Sequence, residues 1–95
     1  MKFDENIVFK ALADSSRRKM LDIVRDHPGI NVNDLSAHFD FSRYGTMKHL
    51  SVLEAAQLIT SERDWKDKRL FVNAAPIQKI YTRWMKHHMR VVKKP

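Results

Sequence analysis

Cysteine is absent from this chain of 95 residues, which also contains only two glycines and three prolines. Without thiols the chain can form neither a disulfide framework nor a thiolate metal site, so its stability has to come from packing. Long apolar runs are absent too: no stretch of about eighteen residues could cross a bilayer, and residues 1–5 lack the apolar character of a signal peptide. We therefore predict a cytosolic protein with one domain over residues 1–95.

The sequence also lacks the residue groups on which catalysis and metal binding depend. No nucleophile with a base, no pair of carboxylates and no glycine-rich phosphate loop is recognisable, so we predict no enzymatic activity and no cofactor. His87 and His88 are adjacent, whereas helical residues that chelate a metal are three or four positions apart. No acidic residue follows Asp67. We therefore predict no metal site.

Basic residues are in excess, and they are concentrated in the second half of the chain. Residues 1–42 contain six lysines and arginines against seven acidic residues, a net charge of −1, whereas residues 43–95 contain twelve against four, a net charge of +8. Clustered positive charge attracts a polyanion, most often nucleic acid. An anionic membrane surface or an acidic protein partner would also fit, because the last helix carries cations and no acid.

Apolar spacing and capping residues predict three helices in the first part of the chain. Residues 3–12 have the period of an amphipathic helix. Asp14 is the candidate N-cap of a second helix, which residues 27–29 terminate. Asn31 opens a motif that resembles a capping box, and we expect a third helix from there to about Phe39.

A fourth helix over about residues 43–57 follows the candidate N-cap Ser42. Two short helices joined by about three residues are typical of a helix-turn-helix, whose second helix enters the major groove of DNA. Thr46, Leu50 and Leu53 point inward on this predicted recognition helix. The outward side chains, which we predict to contact DNA, are Arg43, Tyr44, Met47, Lys48 and Ser51.

A change of period after the fourth helix indicates a β-hairpin, or wing, at about residues 59–73. We expect its strands at residues 58–63 and 70–72, joined by a charged connection over residues 64–69. The cations of this hairpin that we predict to contact the DNA backbone are Arg63, Lys66, Lys68 and Arg69.

Three further residues bear on DNA contact. Arg17 and Arg18 lie early in the second helix, where backbone amides and the helix dipole also favour phosphate, and we include both among the predicted DNA contacts. Trp65 lies at the tip of the hairpin. The sequence leaves two alternatives for it: the side chain folds back on the domain, or it lies against the sugar-phosphate backbone.

Pro76 opens a last helix over about residues 76–92, whose apolar stripe is too large for one small domain to cover. We expect this stripe and the first helix to form a homodimer interface. Its predicted residues are Phe3, Ile7, Val8, Ile77, Ile80, Tyr81, Trp84, Met85 and His88. The predicted fold is mostly α-helical, a winged helix-turn-helix with about five helices and a two-stranded wing.

Two segments resemble the arsenical-resistance-repressor (ArsR) family of winged-helix regulators. Residues 9–18 (FKALADSSRR) are similar to the opening of the family, with Ser15-Ser16 where Pro-Thr is usual. Residues 42–59 are similar to its recognition-helix signature, and the match extends through Asn73 and residues 76–78. The resemblance therefore covers nearly the whole chain.

The resemblance implies a homodimer that binds double-stranded DNA at an inverted repeat and represses a nearby operon. It also implies that the outward residues of the fourth helix contact the DNA. The SRYGTMKHL form resembles a non-metal-sensing branch, and Val32–Ser36 lacks the thiolate ligands of the family's metal site. Gln57 replaces the glycine that usually ends the recognition helix, which predicts a left-handed residue there. No residue pattern identifies an inducer.

Overall fold

The computed structural model of the chain describes residues 3–89, in which helices pack around a small antiparallel sheet. In chain order the first elements are α1 (Glu5–Leu12), α2 (Ser15–Asp26), β1 (Ile30–Asn31), α3 (Val32–Ser36) and α4 (Arg43–Ala55). They are followed by β2 (Ile59–Asp64), β3 (Asp67–Val72), α5 (Ala75–Ile80), a π-helical turn (Tyr81–Met85) and α6 (Lys86–His88). No helix within this described part of the chain combines the length and apolar character needed to span a membrane.

Side-chain caps determine where the helices begin. Asp14, Asn31 and Ser42 accept hydrogen bonds from backbone N–H groups in the first turns of α2, α3 and α4, at 3.1, 2.8 and 3.2 Å. The three predicted N-caps are therefore confirmed. Asp4 caps α1 in the same way at 2.9 Å, so this helix begins two residues later than predicted. The third helix ends at Ser36 rather than near residue 39.

The cap of α2 also makes the fold sensitive to acid. The backbone N–H of Arg17 donates to the Asp14 carboxylate and lowers the pKa of this group. A lowered pKa means that the cap stabilises the folded state above the usual pKa of an aspartate. This contribution is lost as the pH falls through the lowered pKa.

The sheet has three strands instead of the two that were predicted, in the order β1-β3-β2. The added strand, β1, has two residues, and Ile30 pairs with Leu70. A strand this short has no period of its own, and its partner lies forty positions away in sequence, so the local pattern does not reveal it. The hairpin connection is also shorter than predicted: β2 and β3 pair from Ile59 with Val72 to Asp64 with Asp67, which leaves a two-residue turn.

The C-terminal helix is not the continuous α-helix that was predicted over residues 76–92. The π-helical turn, Tyr81–Met85, separates α5 from α6, and α6 ends at His88. Residues 90–92 of the predicted helix lie outside the described residues. A π-helical turn adds a residue to the helical repeat, so side chains after it are rotated relative to an unbroken α-helix.

The core attaches the fourth helix to the rest of the domain. Leu50 and Leu53 are fully buried, together with Leu58 at the start of the sheet and Met20 on α2. Thr46 is the one buried polar residue that α4 contributes, and its hydroxyl donates to the Ser36 hydroxyl at 3.0 Å. This hydrogen bond links the two helices of the helix-turn-helix. The inward face of α4 is therefore the predicted one, and its opposite face is directed outward.

Candidate nucleic-acid interface

The outward face of α4 carries the side chains predicted to contact DNA. Arg43, Tyr44 and Lys48 are exposed, with Tyr44 at 72% of its full exposure. The Lys48 ammonium lies 5.6 Å from the centre of the Tyr44 ring, a cation–π arrangement that keeps both groups on this face. Met47 is half-buried, and the Ser51 hydroxyl donates to the Met47 carbonyl at 3.0 Å. The structure therefore brings the five predicted side chains together at one surface, with Ser51 partly satisfied by its own helix.

Arg43 is held in place by a residue of the preceding helix. Its Nε donates to the Asn33 side-chain oxygen at 2.7 Å. Among residues 3–89, its two terminal nitrogens have no hydrogen-bond partner, and they are the pair that can donate together to one guanine. Asn33 was not among the predicted site residues. It reaches Arg43 only through the packing of the two helices, ten positions away in sequence, so no local pattern identifies it.

The four cations of the wing are of two kinds: free ones, which are exposed, and compensated ones, which are paired with acids. Arg63 and Lys66 are exposed. Lys68 instead forms an ion pair with Glu54 at 2.9 Å, and Arg69 contacts both Asp64 and Asp67 at 3.4 Å. All four cations were predicted to contact the DNA backbone. That prediction is untested, but the fold places Glu54 beside Lys68 and two acids beside Arg69, so these two cations are partly compensated.

A cleft of about 200 Å³ lies between the recognition helix and the wing. Arg43 and Met47 of α4 line one side, and Arg63, Lys66 and Lys68 of the wing line the other. Asp67 also lines the cleft but is paired with Arg69, and Lys68 is paired with Glu54. Arg43, Arg63 and Lys66 therefore give the cleft the positive charge to attract one strand of a phosphate backbone.

Arg17 and Arg18, two of the predicted phosphate contacts, make hydrogen bonds within the fold. The Nε of Arg17 donates to the Ala11 carbonyl at 2.7 Å, and its Nη2 donates to the Lys10 carbonyl at 3.1 Å. Arg18 donates to the Leu12 carbonyl at 2.5 Å. These carbonyls lie at the end of α1, where the Lys10 carbonyl also accepts from the backbone N–H of Ala13 at 3.2 Å, and the two arginines supply side-chain donors to this C-terminus. Their contact with phosphate stays a prediction, and part of their donor capacity is used within the fold.

We expect Arg17→Ala to destabilise the domain. The Arg17 side chain is 16% exposed, contacts Asp14 and lies 3.3 Å from the His49 ring nitrogen on α4. Its loss leaves the carbonyl of the buried Ala11 without its side-chain donor, which costs about 2 kcal/mol of unfolding free energy and lowers Tm by roughly 10 °C. Thermal unfolding followed by circular dichroism measures this effect. Arg25→Ala is the control, because Arg25 makes only exposed ion pairs, and equal Tm values for the two variants would contradict the capping role.

A second surface is apolar and is formed by α1 and the C-terminal helix. Six predicted interface residues are large and between 37% and 49% exposed: Phe3, Ile7, Ile77, Tyr81, Trp84 and Met85. His88 is also exposed, with a ring nitrogen 2.9 Å from the Trp84 carbonyl. The prediction was wrong for two residues of this interface, because Val8 and Ile80 are buried in the core of their own chain. Phe9 and Met89 belong to the exposed surface and were missed.

The histidines and acids of the described residues do not converge. Among residues 3–89, no three histidine, aspartate or glutamate side chains lie close enough to hold a metal ion. His49 is half-buried, with its ring 5.4 Å from that of Phe41, so it is a packing residue of the recognition helix.

Comparisons with known proteins relate the chain to transcriptional regulators. The sequence model of the MarR family matches residues 19–70, which is more than half of the chain. An uncharacterised HTH-type transcriptional regulator of Bacillus subtilis, YuzN, is 35% identical over 91 residues, which are 90% of this chain and 99% of that protein. The transcriptional repressor SdpR of the same organism is 36% identical over 58 residues, 61% of this chain and 63% of SdpR.

Solved structures show the same fold. An ArsR-like transcriptional regulator from Rhodococcus sp. RHA1 superposes with a TM-score of 0.77 at 24% identity, over 88% of this chain and 78% of that chain. A homodimeric winged helix-turn-helix DNA-binding domain from Mycobacterium bovis, described as a possible ArsR-family regulator, gives a TM-score of 0.67 at 18% identity, over 92% and 86%. The predicted winged helix-turn-helix is therefore confirmed, and the resemblance to ArsR-family regulators is confirmed for the fold.

Proposed function

The chain belongs to the MarR family of winged helix-turn-helix proteins, and on this basis we propose that it is a transcriptional regulator that binds an inverted-repeat DNA site as a homodimer. One observation carries the proposal: Arg43 is fixed by Asn33 with its terminal nitrogens free, on an exposed helix beside a cleft lined by cations. A repressor among its relatives supports repression as the regulatory outcome. Such a protein acts on DNA without catalysis, in the compartment that contains the chromosome.

In the proposed complex α4 lies in the major groove. Arg43 donates to O6 and N7 of a guanine, while Met47 contacts a thymine methyl group. Tyr44, Lys48 and Ser51 are the other side chains of this face. Arg63 and Lys66 of the wing bind the flanking phosphates. Recognition helix, wing and C-terminal helix are thus parts of one DNA-binding domain.

The apolar surface of α1 and the C-terminal helix is the proposed dimer interface. Six large side chains on these two elements are more than a third exposed, as are Phe3 just before α1 and Met89 just after α6. A surface of this kind in water is unusual for a monomer. Two-fold symmetric pairing would present two copies of α4 to successive major grooves, about 34 Å apart. The alternative considered above is a module that binds a membrane or an acidic protein. It does not explain why Asn33 fixes the guanidinium of Arg43 on α4.

Selection of binding sites from random double-stranded DNA tests the proposed function. We expect an enriched sequence with two-fold symmetry and half-sites about one helical turn apart, about 10 base pairs. We also expect the enriched site to be bound at least a thousandfold more tightly than scrambled DNA of the same length, as for typical specific regulators. Enrichment of no sequence, with equally weak binding to both duplexes, would contradict the proposal.

We expect Lys66→Ala to weaken binding to all DNA sequences alike. Lys66 is exposed on the wing, so its loss removes one phosphate contact in each half-site and lowers the slope of log affinity against log salt concentration by about two units per dimer. The preference for the selected site is expected to remain. Affinities for selected and scrambled DNA over a salt series measure both quantities.

Lys68→Ala is the matched control for this experiment. It removes the same charge from the same hairpin, but Glu54 already compensates Lys68 at 2.9 Å. We therefore expect a smaller change in the salt slope than for Lys66→Ala. A larger change for the Lys68 variant would contradict the division of the wing into free and compensated cations.

A further inference from the structure

Trp65 occupies an unusual position at the tip of the wing. It is the first residue of the two-residue turn that joins β2 to β3, and its φ angle is +61°. Its side chain is 88% exposed, the highest value among the large apolar side chains of the described residues. The structure thus excludes one of the two alternatives considered above, in which Trp65 folds back on the domain.

Neither the positive φ angle nor the exposed side chain of Trp65 stabilises the free protein. A positive φ angle strains any residue with a bulky side chain, and hairpin turns that require it usually contain glycine or asparagine. An exposed indole contributes no burial to the fold. Gln57 also has a φ of +61°, but it follows the end of α4, where a left-handed residue is common, and its side chain is polar. Strain of this kind at an exposed position points to a function.

The charges around Trp65 indicate what it contacts. Arg63 and Lys66 are both exposed on its two sides in sequence and line the cleft that faces α4. The two acids that flank the turn, Asp64 and Asp67, share the single cation Arg69, which is 3.4 Å from each. Together with Arg63 and Lys66 these side chains leave the tip with a net charge of +1. Trp65 is thus an exposed apolar ring with exposed cations next to it in sequence. This combination fits a ligand that carries negative charges beside apolar surface. The minor groove of DNA, with phosphates at its edges and deoxyribose along its walls, has this character.

We propose that Trp65 is a DNA-contacting residue whose indole enters the minor groove beside each half-site and packs against the sugars and base edges there. This inference rests on the proposed function, because it requires the wing to approach DNA that α4 has bound. Arg63 and Lys66 hold the phosphates on the two sides, and the turn orients the indole before binding. The strain of the turn is then a cost to the free protein that contact with DNA offsets.

Trp65→Gly gives a test in which stability and binding change in opposite directions. Glycine relieves the positive φ, so we expect Tm to rise by roughly 4–8 °C, while affinity for the selected DNA falls about tenfold per wing and about a hundredfold per dimer. Gln57→Gly is the matched control: it relieves the same backbone strain away from the wing, so Tm should rise with affinity unchanged. Equal affinities of wild type and Trp65→Gly would overturn the inference.

Two further variants separate the aromatic contact from the backbone effect. Trp65→Ala keeps a Cβ in the strained turn, so we expect the same loss of affinity without the rise in Tm. Trp65→Phe retains an aromatic ring and should stay within about threefold of wild type. If the alanine variant binds as tightly as wild type, Trp65 does not contact DNA and belongs to another surface.

Fluorescence gives a readout that does not depend on affinity. The chain has two tryptophans, so the difference between wild type and Trp65→Phe isolates the emission of Trp65. We expect DNA to protect this emission from acrylamide quenching, and unchanged quenching in a saturated complex would overturn the inference. If wild type binds no DNA, the proposed function itself is wrong. If wild type binds DNA and both Trp65→Gly and Trp65→Ala behave like it, the proposed function stands and only this inference is wrong.

Discussion

The Arg43→Ala dimer is expected to lose roughly 2–6 kcal/mol of binding free energy on its operator, since each base contact contributes about 1–3 kcal/mol of discrimination and the dimer loses two. This corresponds to a decrease in affinity of about 30-fold to 20,000-fold. On scrambled DNA the loss should be far smaller, because there Arg43 contributes only its charge. Affinities of wild type and variant for the two duplexes at one salt concentration measure the difference.

Two control variants make this result specific. Arg25→Ala removes the same charge from α2, where Arg25 is paired with Asp22 and Asp26, and should change neither affinity appreciably. Asn33→Ala leaves the Arg43 guanidinium but removes the oxygen that fixes its Nε at 2.7 Å, so it should give an intermediate loss of specificity. If Arg43→Ala weakens both duplexes equally, α4 is not the helix that recognises the base sequence.

Trp84→Glu is expected to produce monomers. Trp84 is 49% exposed, and its ring meets that of Phe9 edge to face at 6.2 Å, so it lies within the proposed dimer surface. A carboxylate there would be buried without a partner in both subunits. Burying each unpaired carboxylate costs about 2 kcal/mol or more, so the two copies together weaken dimerisation roughly a thousandfold. Sedimentation equilibrium at micromolar concentration measures the change, and binding to the selected DNA should weaken with it because the half-sites are no longer linked.

The matched control for this variant is Gln78→Glu. It adds one negative charge to the same C-terminal helix without removing an aromatic ring, so we expect the dimer to persist. Circular dichroism should show that Trp84→Glu remains folded, because half of this side chain is already exposed. Sedimentation of the wild type itself as a monomer at micromolar concentration would contradict the proposed interface.

The parts of the fold that could be predicted depend on neighbouring residues in sequence. The N-caps Asp14, Asn31 and Ser42 bond to backbone groups within three positions, so their chemistry is visible in the sequence. The left-handed conformation of Gln57 was expected from the family resemblance, in which a glycine usually ends the recognition helix, and its φ of +61° confirms it.

The corrected parts depend on residues far apart in sequence. The two-residue strand β1 exists only because β3 pairs with it. Arg17 and Lys68 resemble free surface cations until the fold brings the end of α1 to the first and Glu54 to the second. Val8 and Ile80 have the spacing of an interface stripe, but packing of the helices directs them into the core. These contacts and burials depend on tertiary structure, which the periodicity of the sequence does not reveal.

The central claim is that two copies of this chain bind one two-fold symmetric DNA site through α4. Titration of the selected duplex, with the mass of the complex measured by sedimentation, tests it most directly. We predict saturation at two chains per site, a dissociation constant below micromolar, and at least a thousandfold weaker binding to scrambled DNA. A complex with one chain per site, or equal affinity for the selected and the scrambled duplex, would contradict the claim.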